Sequence, residues 1–201
     1  YSVMRLLKAS LIQEKIKIIG KQTPWLRDRM INWQYYPKSD LVPVELKNIV
    51  DVFIERQHDI SSELFQFNSD AVLAILRPGL VELGFDVEKG KKQVDKVRVP
   101  VLFGRNGEPE LTFEADAANP DSHIVLEVEA DRAVSNFQFL KDLFEACMMQ
   151  NILFAGIAVR NEYRYGKSRR RDFDYVTRFL DTPYASGRLT LPLQGILVIG
   201  Y

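Results

Sequence analysis

The stretch LTFEADAANPDSHIVLEVEA, Leu111 to Ala130, sets five carboxylates beside a run of Leu, Val, Ile and Phe. Acidic side chains in a strand pattern repel one another and resist burial. Residues two apart in a strand share a face. Glu127 and Glu129 therefore share one face of HIVLEVEA, while Ile124, Leu126 and Val128 take the other. In ELTFEADA, Glu114 and Asp116 share a face opposite Phe113 and Ala115. The short turn ANPDS lets the two segments pair antiparallel, which brings Asp116 toward Glu127 and Glu129. Three carboxylates so close are unstable as bare anions. A hard divalent cation such as Mg²⁺ or Mn²⁺ relieves the repulsion, because it takes oxygen ligands from one or two carboxylates and adds water and phosphate.

An isolated Glu-x-Glu needs no metal, since antiparallel sheets often keep one solvated face. Here the wider charge pattern points further. Residues 106–145 hold ten acidic and two basic side chains, in a chain whose totals balance at 27 against 27. Lys89, Lys91, Lys92, Lys96, Arg98 and Arg105 precede this centre, and Arg160, Arg164, Lys167, Arg169, Arg170 and Arg171 follow it. An acidic centre between basic arms suits a metal site acting on a phosphodiester backbone. The second arm interleaves Tyr163, Tyr165, Phe173 and Tyr175 with its cations. Arg and Lys contact phosphates, and aromatic rings stack on exposed bases.

Other chemistries have little to stand on. A single cysteine, Cys147, excludes an internal disulfide and a cysteine zinc cluster, and two histidines, His58 and His123, do not make a histidine-rich metal site. The segment GRNG lacks the Gly-Lys-Ser/Thr ending of a phosphate loop and reads as a hairpin turn. No apolar run approaches the ~20 residues of a membrane span. A cytoplasmic protein with no membrane partner is the expectation.

The elements that must position the carboxylates follow from periodicity. Residues 1–60 read as a helical N-terminal extension packed on a core of residues 61–201. Within the extension, MRLLKASLIQEKIKIIG and VPVELKNIVDVFIERQ have helical spacing, and TPWLRDRMINWQYYPKSD suggests a short helix within loops. NSDAVLAILRPGLVELGF predicts a helix with Ser69 as N-cap, kinked or divided at Pro78 and ended by Gly84. VDKVRVPVLFG, ELTFEADA and HIVLEVEA predict three strands. SNFQFLKDLFEACMMQN follows as a helix capped by Ser135, with Phe137, Leu140, Phe144, Cys147 and Met148 on its apolar side. ILFAGIAV suits a fully buried strand; DFDYVTRFLDTPY is helical, and LPLQGILVIGY ends the chain as a strand. The sum is an α/β (α+β) fold, with a central mixed sheet whose antiparallel acidic strands are flanked by helices.

This order, across about residues 69–159, resembles the PD-(D/E)XK nuclease superfamily with its restriction-endonuclease-like fold. The family's core runs helix, three antiparallel strands, helix, strand. Asp116 in FEADA occupies the place of its second-strand Asp, and Glu127 that of the first acid of its third motif. The family's lysine position holds Glu129, a Glu-x-Glu variant found in one of its branches. The resemblance implies a divalent-metal-dependent DNA endonuclease of restriction type, working as a homodimer. Asp116 and Glu127 would hold Mg²⁺ or Mn²⁺, with the backbone carbonyl of Val128 as a further oxygen. Glu129 would be a further ligand or the general base, or Lys141 would supply the missing cation. The first-helix acid that many members add would be Glu63 or Asp70, both near the expected place. Arg164, Lys167, Arg169, Arg170 and Arg171 would meet DNA. The alternative is a catalytically inactive protein of the same fold that binds nucleic acid or a protein partner, which the replaced lysine keeps open.

Overall fold

The computed structural model describes residues 30–130 and 133–201. The helix expected over residues 4–20 lies outside them. The elements in chain order are strand β1 (Asn32–Tyr36), helices α1 (Val44–Glu55), α2 (Gln57–Ile60) and α3 (Ser69–Glu82), and strands β2 (Asp86–Val87), β3 (Val97–Phe103), β4 (Pro109–Ala115), β5 (Ala117–Asn119) and β6 (Ile124–Glu129). Helix α4 (Gln138–Met148), strands β7 (Phe154–Val159), β8 (Tyr163–Tyr165) and β9 (Ser168–Arg170), helix α5 (Asp172–Ser186) and strand β10 (Gly195–Gly200) complete it.

A mixed six-stranded sheet runs in the order β1-β10-β7-β6-β5-β2. Strands β10, β7 and β6 are parallel neighbours, while β1, β5 and β2 pair antiparallel. The parallel strands carry the most continuous apolar runs, and every residue of GILVIG in β10 is buried. That is what a strand covered on both faces requires. On one face Leu46, Phe53, Leu76 and Leu80 from α1 and α3 pack with Leu126, Val128, Leu197 and Ile199. On the other, Phe139 and Leu143 of α4 and Val176 and Leu180 of α5 pack with Val125, Ile157, Ile196 and Val198. The alternation along β6 thus sends Leu126 and Val128 to the first layer, and leaves Glu127 and Glu129 on the side of α4.

The order α3, β3, β4–β5, β6, α4, β7 is the one the periodicity predicts, and the mixed α+β sheet flanked by helices is as expected. Several local expectations are corrected. Residues 32–36 form a sheet strand rather than part of a short helix, because β10 offers a complete antiparallel partner from Asn32↔Gly200 to Tyr36↔Ile196. Asn68, not Ser69, caps α3, with its side chain accepting from the Ala71 N–H at 2.9 Å. Pro78 does not divide α3, which runs unbroken to Glu82. The proline removes the N–H that would bond Ala74, but Ala74 is exposed and water can serve its carbonyl. Ser135 does not cap α4; Phe137 stands at that position with φ 52°. Helix α4 also turns a different face inward. Phe139, Asp142, Leu143 and Ala146 are buried, whereas Phe137, Phe144 and Met148 are about half exposed. No helix among the described residues is long and apolar enough to cross a membrane.

Candidate functional site

The strand that carries Asp116 changes partners at that residue. Its first part, β4, pairs with β3 in a two-stranded ribbon, and its second part, β5, pairs with β6 in the main sheet. Pairing with β6 begins at Ala117↔Leu126, so β6 from Glu127 onward has no strand on this side. The side chain of Asp116 fills the gap. Its Oδ2 accepts from the Val128 N–H at 2.7 Å, and its own N–H lies 3.4 Å from Glu127 Oε2. The Asp116 carbonyl accepts from the Glu88 N–H at 2.8 Å. Backbone bonds on three sides therefore hold Asp116 against Glu127, as strand parity requires.

Glu129 lies one alternation further along the same face and meets helix α4 rather than Asp116 first. Asp142 projects from α4 into this space and is only 5% exposed. Gln138, one turn earlier, donates to Asp142 Oδ1 at 2.9 Å. Asp142 Oδ2 is buried with no donor among the described residues. The Glu129 carboxyl is its neighbour, and two carboxyls bond each other only when one holds a proton.

Four carboxyl groups thus share one partly dehydrated space, and all are pushed toward the protonated form. Burial raises Asp116 to about 7, against the Val128 N–H and with the charges of Glu88, Asp142 and Asp70. Burial, then Asp116 and Asp142, raise Glu127 well above the usual carboxylate range. Burial, then Asp142 and Asp116, raise Glu129 to about 8. Burial also raises Asp142. The groups interact, so they titrate as a set. Asp116, Glu127 and Glu129 still keep part of their surface open to solvent.

Among the described residues, no three His, Cys, Asp or Glu side chains are placed to hold a metal ion. The donor set nevertheless suits a hard cation. Such an ion takes one or two carboxylates and fills its shell with water and phosphate. Asp116 and Glu127 supply two, and Asp142 lies near enough for its charge to act on Glu127.

Of the other residues singled out by sequence, Val128 is buried and lends its N–H to the site. Glu63 is not drawn in. It is exposed in the turn after α2, where its backbone carbonyl accepts from Arg164 at 2.8 Å. Asp70, at the start of α3, lies 3.8 Å from Lys91, and its charge acts on Asp116. Lys141 pairs with Glu145 at 3.0 Å, and its charge reaches Asp142 and Glu127. Glu114 points away to Lys96 at 3.5 Å. Sequence reasoning missed Asp142, Gln138 and Glu88. A signal for Asp142 existed, because it falls among Phe139, Leu143 and Ala146 at helical spacing, a lone acid inside an apolar stripe.

The basic arm forms a structured hairpin, β8–β9, rather than an open loop. It follows the carboxyl end of β7, beside the end of β6 that bears Glu129. Arg164 bonds Glu162, and Arg169 lies 3.5 Å from the same carboxylate. Arg170 pairs with Asp172, Arg171 pairs with Asp174 at 3.2 Å, and Lys167 is exposed at the turn. Arg160 departs from its place in the arm. It is 2% exposed and donates to Gln66 Oε1 and the Phe67 carbonyl.

No protein-family model and no curated protein matches the chain. Among solved structures it is similar to restriction endonuclease BglII complexed with a DNA 16-mer, at a TM-score of 0.48 and 14% identity, over 85% of this chain and 75% of that one. The α+β assignment rests on the strand order and helix layers themselves.

Proposed function

We propose that the chain is a divalent-metal-dependent DNA endonuclease that hydrolyses phosphodiester bonds. The carrying observation is the gathering of Asp116, Glu127, Glu129 and Asp142 at the carboxyl end of the parallel strands, all held toward protonation by burial and mutual repulsion. Crevices at strand carboxyl ends are the usual ligand sites of α/β sheets. A protein does not keep such a cluster for stability, since each bare charge costs free energy. Perturbed acids in a shared recess are a mark of chemistry.

In this reading Asp116 and Glu127 hold Mg²⁺ or Mn²⁺, and the Val128 carbonyl is a further oxygen. The bound ion supplies Lewis-acid polarisation of the phosphate and lowers the pKa of bound water. Asp116 is oriented for the task by the Val128 N–H. Glu129, left as a carboxylate when a cation displaces the protons of the cluster, would accept the proton of the attacking water. Arg169 and Lys167, on the exposed hairpin, meet the backbone of DNA. Glu63 has no part in this scheme, and Asp70 takes the helix-acid place. Two copies are needed to cut both strands, so the working form is a homodimer.

A second reading is favoured by one observation, the Glu at the lysine position together with the lack of a three-residue metal group among the described residues. There the chain binds nucleic acid or a protein partner without cutting. Supercoiled plasmid incubated with Mg²⁺ separates the two. Wild type is expected to relax and linearise it, with no cutting in EDTA, and Glu127→Ala is expected to be inert. Equal cutting by wild type and Glu127→Ala counts against this site, and intact plasmid with both supports the non-catalytic reading.

A further inference from the structure

The β8–β9 hairpin has two chemically different faces. Its register pairs Tyr163 with Arg170, Arg164 with Arg169, and Tyr165 with Ser168. Tyr163, Tyr165, Ser168 and Arg170 therefore share one face, and Arg164 and Arg169 the other. The second face is fastened. Arg164 bonds Glu162 and the Glu63 carbonyl, and Arg169 reaches Glu162.

The first face is open and, together with Ser135 in the segment leading into α4, lines a cavity of about 410 Å³. Arg169 reaches its rim from the other face. The Arg170 guanidinium is fixed by the fully buried Asp172 and lies 4.7 Å from the Tyr163 ring centroid. It makes a flat, pre-set wall. Tyr165 is 75% exposed and makes no ring contact among those of the described residues. An aromatic ring held out beside a cavity, with one fixed guanidinium plane and serine hydroxyls around it, matches a planar, hydrogen-bonding, anion-linked ligand. The volume lies in the range of small-molecule clefts.

We propose that this cavity receives an unpaired nucleobase, stacked on Tyr165, while Arg169 and Lys167 contact the adjoining phosphate. The proposal deepens the nuclease reading and rests on it for the substrate class. It makes that substrate a strand with an unpaired or extruded nucleotide close to the cutting site. A base buried in a duplex cannot enter, so extrusion or single-strandedness is required.

The test uses the full chain in EDTA, so that binding is read without cleavage. The probe is a short single-stranded DNA oligomer with one central 2-aminopurine, next to the same oligomer with an abasic site. Stacking should quench the 2-aminopurine emission on binding. Tyr165→Ala should abolish the quench and weaken binding by about 5- to 150-fold, the scale of one stacked base at 1–3 kcal/mol. Tyr165→Phe should retain both. The abasic oligomer should bind wild type and Tyr165→Ala alike. No quench with wild type, or equal affinity of wild type and Tyr165→Ala for the intact oligomer, overturns the pocket. Cutting of plasmid by Tyr165→Ala at the wild-type rate also overturns it, while leaving the carboxylate site standing. A preserved quench with no cutting under any metal instead removes the nuclease reading and keeps the base pocket.

Discussion

Asp116→Asn is expected to lower Mg²⁺-dependent cleavage by on the order of 10³-fold, the scale set by losing one electrostatic contributor to a transition state. The amide keeps an oxygen where Oδ2 accepts the Val128 N–H at 2.7 Å, so the local backbone is preserved. What it removes is charge. The variant should therefore melt no lower than wild type in EDTA at pH 8, because a repelled acid has gone. Asp116→Ala should lose cleavage equally and stability as well, since the Val128 N–H is left without its acceptor, a loss of about 1–3 kcal/mol. A pair of variants with the same catalytic defect and different melting temperatures separates chemistry from folding. Cleavage by Asp116→Asn at the wild-type rate would contradict the role given to this carboxylate.

Stability without metal should fall as pH rises, the reverse of ordinary acid denaturation. The folded carboxyls hold protons more tightly than the unfolded ones, which titrate near 3.8 for Asp and 4.5 for Glu. In the folded state Asp116 stands at about 7 and Glu129 at about 8. Their contribution is fully present below about pH 4 and is lost as pH rises through 7 to 8. Acids that are lowered, such as Asp181 beside Lys38, act the other way, but their effect falls below pH 4 and leaves this window untouched. Between pH 5.5 and 8.5 in EDTA, the melting temperature is expected to drop by several degrees, at roughly 2–4 °C per kcal/mol for a chain of this size. Mg²⁺ should restore most of the loss at pH 8.5 and do little at pH 5.5, because the cation and the protons compete for the same oxygens. A melting temperature that is flat, or that rises across this range in EDTA, would show that these acids are not held together.

Local periodicity carried much of the fold and part of the site. The alternation in HIVLEVEA placed Glu127 and Glu129 on one face, and the turn at ANPDS brought Asp116 to them; the ladder from Ala117↔Leu126 to Asn119↔Ile124 has that geometry. What sequence could not supply were choices made between distant elements. Residues 32–36 look helical or irregular alone and become a strand because β10 needs an edge partner. Helix α4 has two stripes of apolar residues at helical spacing, and only packing on the sheet decides that Phe139 and Leu143 go in while Phe144 and Met148 stay out. Because Asp142 rides on the inward stripe, choosing the wrong one hid a fourth carboxyl of the site. The choice between Glu63 and Asp70 depended on where a loop ends and α3 begins, a boundary that spacing does not fix. The hairpin β8–β9 lay in a stretch so rich in charge that its alternation was masked, yet Tyr163, Tyr165, Ser168 and Arg170 share a face all the same.

In the proposed function the clustered carboxyls hold a divalent cation in place of protons. Calorimetric titration of Mn²⁺ into the protein at pH 7, in two buffers of different ionisation enthalpy, reads both events at once. Saturable binding whose heat differs between the buffers is expected, marking proton release, and the Asp116→Asn, Glu127→Gln double variant should give neither. Absence of binding to wild type, or binding with the same heat in both buffers and unchanged in the double variant, would contradict the account.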